Sequence, residues 1–306
     1  MAKKKTVYFK RSKYRAEEFS VNDLPLNRGR QFFDILKNDW KILVALGFLL
    51  LLFSIPYLTV GVLHWFIRAN LPAQLLADDG TEETVYQALQ LTEILYEVAL
   101  VPCSLLLCIP LAGAARIFKR LAHAEGVLFK DDFFAGLKMN IGHFLLFMFF
   151  YCFLRFFAQF TYIYVENIPV VAPLIKGISM GILYVLFVPI LLIMFTQDSL
   201  YKINVWMNFK NSYQIAVREI LKMIIFSIII FGVYFIRYFN NPIIETSIDI
   251  GLILLSPLYL FALFLFTLSR FDKYINADYY PDVYKKGLRP DFIGGKDDGN
   301  LHEGNN

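Results

Sequence analysis

The chain has 306 residues, of which 57% are hydrophobic, 17% aromatic and 18% charged, with a formal net charge of +4. So apolar a composition, led by 31 Phe, excludes an ordinary soluble enzyme and points to lipid-facing helices. The small positive charge does not argue for nucleic acid, because the basic residues are segregated along the chain.

Residues 1–28 form a polar, basic N-terminal segment with no periodic core pattern. No signal peptide is expected, since 41 polar residues precede the first apolar run. Six apolar runs follow, at 42–67, 97–117, 141–164, 177–195, 222–239 and 249–269. A helix rises about 1.5 Å per residue, so about twenty apolar residues cross the hydrocarbon core. Internal prolines mark four of the runs: Pro56, Pro102 with Pro110, Pro189, and Pro257. The expected fold is all-α, with six transmembrane helices as three hairpins spanning residues 29–270.

An amphipathic stretch precedes each odd-numbered run. Phe32, Phe33, Leu36 and Trp40 stand before the first, Phe129, Phe133, Phe134 and Leu137 before the third, and Trp206, Phe209, Tyr213, Ala216 and Ile220 before the fifth. Apolar residues at three- and four-residue intervals beside charges describe helices lying in the membrane interface, here cytoplasmic elbows. The three stretches align weakly, which suggests elbow-plus-hairpin units starting near 29, 126 and 203. A chance match of aromatic, apolar and basic residues is the alternative. The outer loop 68–96 is acidic, and from Glu83 it reads as a helix running into the second span. Residues 271–306 read as a polar cytoplasmic tail, disordered from about 294.

Of the 30 Lys and Arg, 26 fall at the termini or in the loops after the second and fourth runs, and only Arg68, Lys176 and Arg237 on the other side. Cationic loops resist translocation, so the basic side and both termini are expected in the cytoplasm of a multi-pass plasma-membrane protein. The Lys-rich start could touch anionic headgroups, although such runs are more often a topology signal alone.

No catalytic constellation is expected. His64, His123, His143 and His302 lie in different segments, and Asp78-Asp79, Asp131-Asp132 and Asp297-Asp298 read as solvated charge. Cys103, Cys108 and Cys152 have no metal-ligand spacing. No metal or cofactor is therefore called for, and the chain reads as no enzyme. One residue stands apart. Arg155 lies deep in the third run, with Tyr151 and Gln159 (and Tyr162) at helical intervals on its face. An arginine there costs about 2.5–3.5 kcal/mol on insertion scales, so it should point inward to a partner, with Glu97 or Asp249 as candidates. Two readings compete: a structural ion pair, or a site for an anionic or polyhydroxylated solute. Gly177 to Gly181 and Ala112-Gly-Ala-Ala115 offer small-residue surfaces that read as helix–helix seams, with a dimer face as the other possibility.

Two segments together resemble the YesL-like family of bacterial membrane proteins, a domain of unknown function. Leu52-Phe-Ser-Ile-Pro-Tyr-Leu-Thr-Val-Gly61 is similar to that family's apolar run ending in a Ser-Leu/Ile-Pro-x-x-Thr-x-Gly turn. Pro110-Leu-Ala-Gly-Ala-Ala-Arg-Ile-Phe-Lys-Arg-Leu, with Phe129-Lys-Asp-Asp-Phe-Phe-Ala-Gly-Leu-Lys138, is similar to its Ala-rich helix and following elbow. About 45 residues, including the acidic loop, stand between the two segments where the family has a short connection. The resemblance covers residues 29–235. It implies a small inner-membrane protein encoded beside carbohydrate uptake systems, and it carries no catalytic or binding residues. The resulting expectation is a non-enzymatic accessory or regulatory protein of solute uptake. Its partners would be the lipid bilayer and a carbohydrate ABC importer or another membrane protein. A stand-alone transporter or channel built around Arg155 is the alternative.

Overall fold

Helix boundaries follow the local chemistry. Asn27 caps α1 (Arg28–Asn38), its side chain accepting from Arg30 N at 2.9 Å. After the poor helix formers Asn38 and Asp39 the chain restarts as α2 (Trp40–Ala77). Thr81 caps α3 (Glu82–Leu106), whose first turn carries Glu82 and Glu83 where the helix dipole favours acid. Pro110 has no N–H to give the Leu106 carbonyl, and the helix breaks at Leu107 before α4 (Cys108–Ala122). Asp132 reaches back to Leu128 N at 2.8 Å to start α5 (Phe129–Val165). Next come α6 (Val171–Gly181), a π turn over Ile182–Phe187, α7 (Val188–Leu200), α8 (Val205–Arg218) capped by Asn204, and α9 (Pro242–Phe271). A second π turn, Asp272–Asn276, and a last helical turn, Ala277–Tyr279, close the helical part.

The structure is a computed structural model that describes residues 24–78, 80–165, 171–226 and 242–290. All regular structure among them is helical, and five helical stretches are long and apolar enough to cross a membrane: Trp40–Ala77, Glu82–Ala122, Phe129–Thr161, Val171–Leu200 and Ile243–Tyr279. The protein is thus an all-helical, multi-pass membrane protein. Most of the run 222–239 lies outside the described residues, as do 1–23 and 291–306.

α2 packs on α3 and α9, α4 on α5, and α7 reaches α4, α5 and α9. Gly47 lets α2 approach α9 closely, since a Cβ there would sit 2.4 Å from the Leu254 carbonyl oxygen. The Ala112–Ala115 seam is internal: Gly113 lies under the Phe133 ring, and Gly136 of α5 faces the Ala112 and Gly113 carbonyls. The Gly177–Gly181 surface differs, because no described atom lies within 4 Å of a Cβ built at either glycine. The stretch before the third run is not a separate helix. Phe129–Lys138 forms the first turns of a continuous α5, with no proline to interrupt it, and Phe133 is buried against α4 rather than turned outward.

The segment 271–290, the start of the expected polar tail, is folded back on the bundle. Arg28 is buried and donates to Asp272 Oδ2 at 2.9 Å, to the Gln31 side chain and to the carbonyls of Ala122 and Lys286. Asn276 donates to Asp272 and accepts from the Tyr201 hydroxyl. Gly287 adopts φ +84°, and a Cβ there would sit 2.5 Å from the Ala122 carbonyl oxygen.

Candidate functional site

Along α2, Tyr57, Gly61, His64 and Arg68 stand at helical intervals on one face. They form one wall of a cavity of about 650 Å³, with Tyr96 of α3 and Glu245 and Asp249 of α9 opposite. Trp65 adds a second large aromatic surface, and the His64 and Tyr96 rings stack with centroids 4.0 Å apart. Gly61 has nothing within 4 Å of where a Cβ would sit, which leaves the space open. α2 has 38 residues and so runs for about 57 Å, nearly twice the hydrocarbon thickness of about 30 Å. Its apolar start at Trp40 places the His64–Arg68 turns near or beyond the far rim of that layer, so the cavity lies at a membrane boundary.

Behind the cavity the polar groups are paired across α2, α3 and α5. Arg155 donates from Nη2 to Glu97 Oε1 at 3.1 Å and from Nη1 to the Tyr57 hydroxyl at 3.4 Å. Both ends of that ion pair are buried, the side chains keeping 12% and 8% of their exposure. One turn further out, Arg68 donates to Glu93 Oε1 at 2.8 Å, and His64 Nε2 lies 3.2 Å from the same oxygen without hydrogen-bond geometry. Gln90 continues the line, donating to the Tyr86 hydroxyl and to the Ile163 carbonyl. Of the residues expected around Arg155, Glu97 is in contact with it and Asp249 stands on the cavity wall. Tyr151 and Gln159 flank it on α5, half-buried. The Tyr162 side chain lies outside the described residues.

Pro56 removes a donor from α2 just below the cavity. The Ser54 hydroxyl donates to the Leu50 carbonyl at 2.6 Å and Thr59 to Ile55 at 2.9 Å, so the Pro56–Gly61 segment keeps its hydroxyls on its own backbone. Below this level lies a buried apolar layer. Leu43, Leu46, Phe147, Ile193, Phe261 and Phe264 belong to one contiguous buried cluster.

Sequence reasoning missed several pairs. His143 Nδ1 is 2.5 Å from Asp198 Oδ1, joining α5 to the end of α7, and Glu219 accepts from Arg270, Lys222 and Tyr274. Arg116 and Arg120 both lie within 3.3 Å of Asp132. Burial raises the Glu219 carboxyl, but the hydrogen bonds from Lys222 and Tyr274 and the Arg270 charge outweigh it and hold it below its ordinary value. The Glu93 network did have a signal. His64 and Arg68, and Glu93 and Glu97, are each four apart and thus share a helix face. The pairs His143–Asp198, Glu219–Arg270 and Glu219–Tyr274 join residues more than 50 positions apart with no shared periodicity. Among the described residues no three His, Cys, Asp or Glu side chains converge as a metal site. Compared with known proteins, the chain matches no family model, no curated protein and no solved structure.

Proposed function

We propose that this chain is a non-enzymatic accessory component of solute uptake, which captures a small polyhydroxylated solute in the cavity between α2, α3 and α9. The observation that carries this reading is the cavity lining: Trp65, Tyr96 and Tyr57 beside Arg68, Glu245 and Asp249. Aromatic faces cover the C–H surface of a sugar ring, while carboxylates and a guanidinium take its hydroxyls in directional, charge-assisted hydrogen bonds. The resemblance to the YesL-like family supports the same reading, because Tyr57 and Gly61 of its Pro-Thr-Gly segment line this wall. A carbohydrate ABC importer is the partner class it suggests.

In this reading the chain has six spans in three hairpins, the run 222–239 completing the even number. It sits in a bacterial plasma membrane with its basic face and both termini in the cytoplasm, and the cavity faces outward. The loop charge bias supports the orientation. Exposed Phe33 and Trp40 near α1, and exposed Trp206, Met207 and Tyr213 on α8, support elbow helices at the cytoplasmic interface.

The apolar cluster beneath Arg155 favours capture over passage, since a hydrated solute would have to strip its water to cross it. The test is saccharide titration of the full chain in nanodiscs, read by the fluorescence of Trp65 against a Trp65→Phe control. Saturable quenching, weakened about tenfold by Asp249→Asn, is expected from the loss of one charge-assisted hydrogen bond. No saccharide response at millimolar concentration would sink the proposal. Uptake of the sugar into liposomes by this chain alone would replace it with the stand-alone transporter.

A further inference from the structure

The charges around the cavity between α2, α3 and α9 are unevenly matched. Both arginines described beside it are already paired: Arg68 donates to Glu93 Oε1 at 2.8 Å, and Arg155, behind the wall, donates to Glu97 Oε1 at 3.1 Å. His64 Nε2 lies 3.2 Å from the same Glu93 oxygen. Of the two lining acids, Asp249 has an interaction of its own. Glu245 differs. Among the described residues no hydrogen-bond donor and no cation is paired with its carboxylate. The lining therefore keeps one unmatched charge among the described residues, and that charge is negative.

Local structure explains how a carboxylate stands there without a cation. Glu245 is in the first turn of α9, where the helix dipole favours an acid, and it is half-buried, so water reaches it. On the facing wall, Trp65 and Tyr57 present half-buried aromatic rings. The Tyr57 hydroxyl accepts from Arg155 at 3.4 Å, which leaves its own proton to donate. The Trp65 indole N–H and the Thr246 hydroxyl line the same space, and neither makes a hydrogen bond among the described residues. The cavity thus offers one free carboxylate, two aromatic faces and three neutral hydrogen-bonding groups.

We infer that the solute captured in this cavity carries a protonated amine, which makes it an amino sugar rather than a neutral or acidic one. An ammonium group gives charge-assisted hydrogen bonds to the Glu245 carboxylate, and a cation over the face of a tryptophan or tyrosine is attracted by the ring quadrupole. The hydroxyls of the same solute fall to Trp65, Thr246 and Tyr57. An acidic sugar would bring its charge to Glu245 and find Arg68 and Arg155 already held by Glu93 and Glu97. The amine adds to the saccharide reading, on which it rests, the charge that the solute carries.

The test titrates glucosamine, glucose, N-acetylglucosamine and glucuronate onto the full chain in phosphatidylcholine nanodiscs, read by Trp65 fluorescence against the Trp65→Phe control. It is run at about pH 7, where an amine of this kind is mostly protonated. Glucosamine should bind about tenfold more tightly than the two neutral sugars, because a charge-assisted contact exceeds a neutral one, and glucuronate should bind more weakly than glucose. Glu245→Gln should lower the affinity for glucosamine to that for glucose, and leave glucose within about twofold. Glu82→Gln removes a carboxylate in the first turn of α3, outside the lining, and should leave the preference unchanged. Should Glu245→Gln fail to fold, the unaltered chain reads the same contact at about pH 9, where the neutral amine should lose its advantage. Saturable binding of glucosamine and glucose with equal affinity overturns the amine and leaves the saccharide reading in place. An equal loss of preference in Glu82→Gln overturns it in favour of a diffuse acidic surface, and tighter binding of glucuronate overturns its sign. No response to any of the four sugars removes both readings.

Discussion

Replacing Arg155 by methionine removes one half of a buried ion pair and leaves Glu97 in a site where 8% of its side-chain surface remains accessible. Breaking such a pair from one side costs about 3–5 kcal/mol, because the remaining charge keeps its desolvation penalty without its partner. For a domain of this scale each kcal/mol moves the melting temperature by about 2–4 °C, so Arg155→Met should melt about 10 °C lower. Glu97→Met should do the same from the other side. The double variant should return to within a few degrees of the parent, since apolar groups of similar volume often replace a buried pair without loss. Cys103, Cys108 and Cys152 are free and buried, so a thiol-reactive dye reports unfolding of the detergent-solubilised chain without added probes. A double variant less stable than either single one would refute the pair as the reason for the cost. So would a single Arg155→Met that melts with the parent. The same double variant reads function: if Arg155 only supports the cavity floor through Tyr57, saccharide quenching of Trp65 survives, and its loss places the solute on the guanidinium.

Other outcomes follow from the end of the bundle where α1 meets segment 271–290 and from the proposed elbows and topology. Burial pushes the His123 imidazole down from 6.5 to about 4, with the charges of Lys286, Lys119 and Arg28 adding to the effect and Glu125 opposing it. The unfolded chain then binds the proton more readily, so this contribution is complete above pH 6.5 and is lost as pH falls toward 4. It is worth about 3 kcal/mol, and His123→Leu should flatten that part of a stability-versus-pH curve. Gly287→Ala should destabilise the returning segment by about 2 kcal/mol or more and speed its proteolysis, because a Cβ meets the Ala122 carbonyl and φ is +84°. Trp206, 73% exposed, should be quenched by headgroup-level spin labels; quenching only by aqueous iodide would remove the elbow. A cysteine at Glu82 should label from outside intact cells and one at Asp131 should not, and the reverse pattern would invert the topology.

What was legible in the sequence follows from the range of the forces involved. Apolar runs set the helices because each needs only its own composition, and α2, α5 and α9 cover their runs. Boundaries were less legible. Helix α2 continues to Ala77 through Arg68, Asn70 and Gln74, which contribute nothing to hydropathy, and the Asn70 side chain donates to the Phe66 carbonyl within the helix. Arg155 was legible as an inward charge because lipid makes any unpaired cation expensive. Arg28 was not, since an arginine in a basic N-terminal stretch looks solvated. Only the return of segment 284–289, fixed by a left-handed Lys285 and Gly287, encloses it. The cavity between α2, α3 and α9 was illegible for the same reason: it is assembled from three distant parts of the chain, and no local period records which helices become neighbours.

The polarity of α1 and α8 links these observations. In a soluble bundle the apolar stripe of a surface helix faces the core. Here the buried positions of α1 include Arg28 and Gln31, and those of α8 include Asn208 and Ser212, while Phe33 and Trp206 stand outward at 68% and 73% exposure. Water would penalise that arrangement on both faces, whereas the bilayer interface takes the aromatic side and leaves the inner polar groups to satisfy one another. They do: Gln31 donates to the Ala122 carbonyl, Asn208 to the Met194 carbonyl, and Ser212 to Gln197. Outward aromatic side chains and inward polar contacts on α1 and α8 are the pattern that the proposed interfacial position requires, because an aromatic face is stable at the headgroup level only where the opposite polar face is already satisfied.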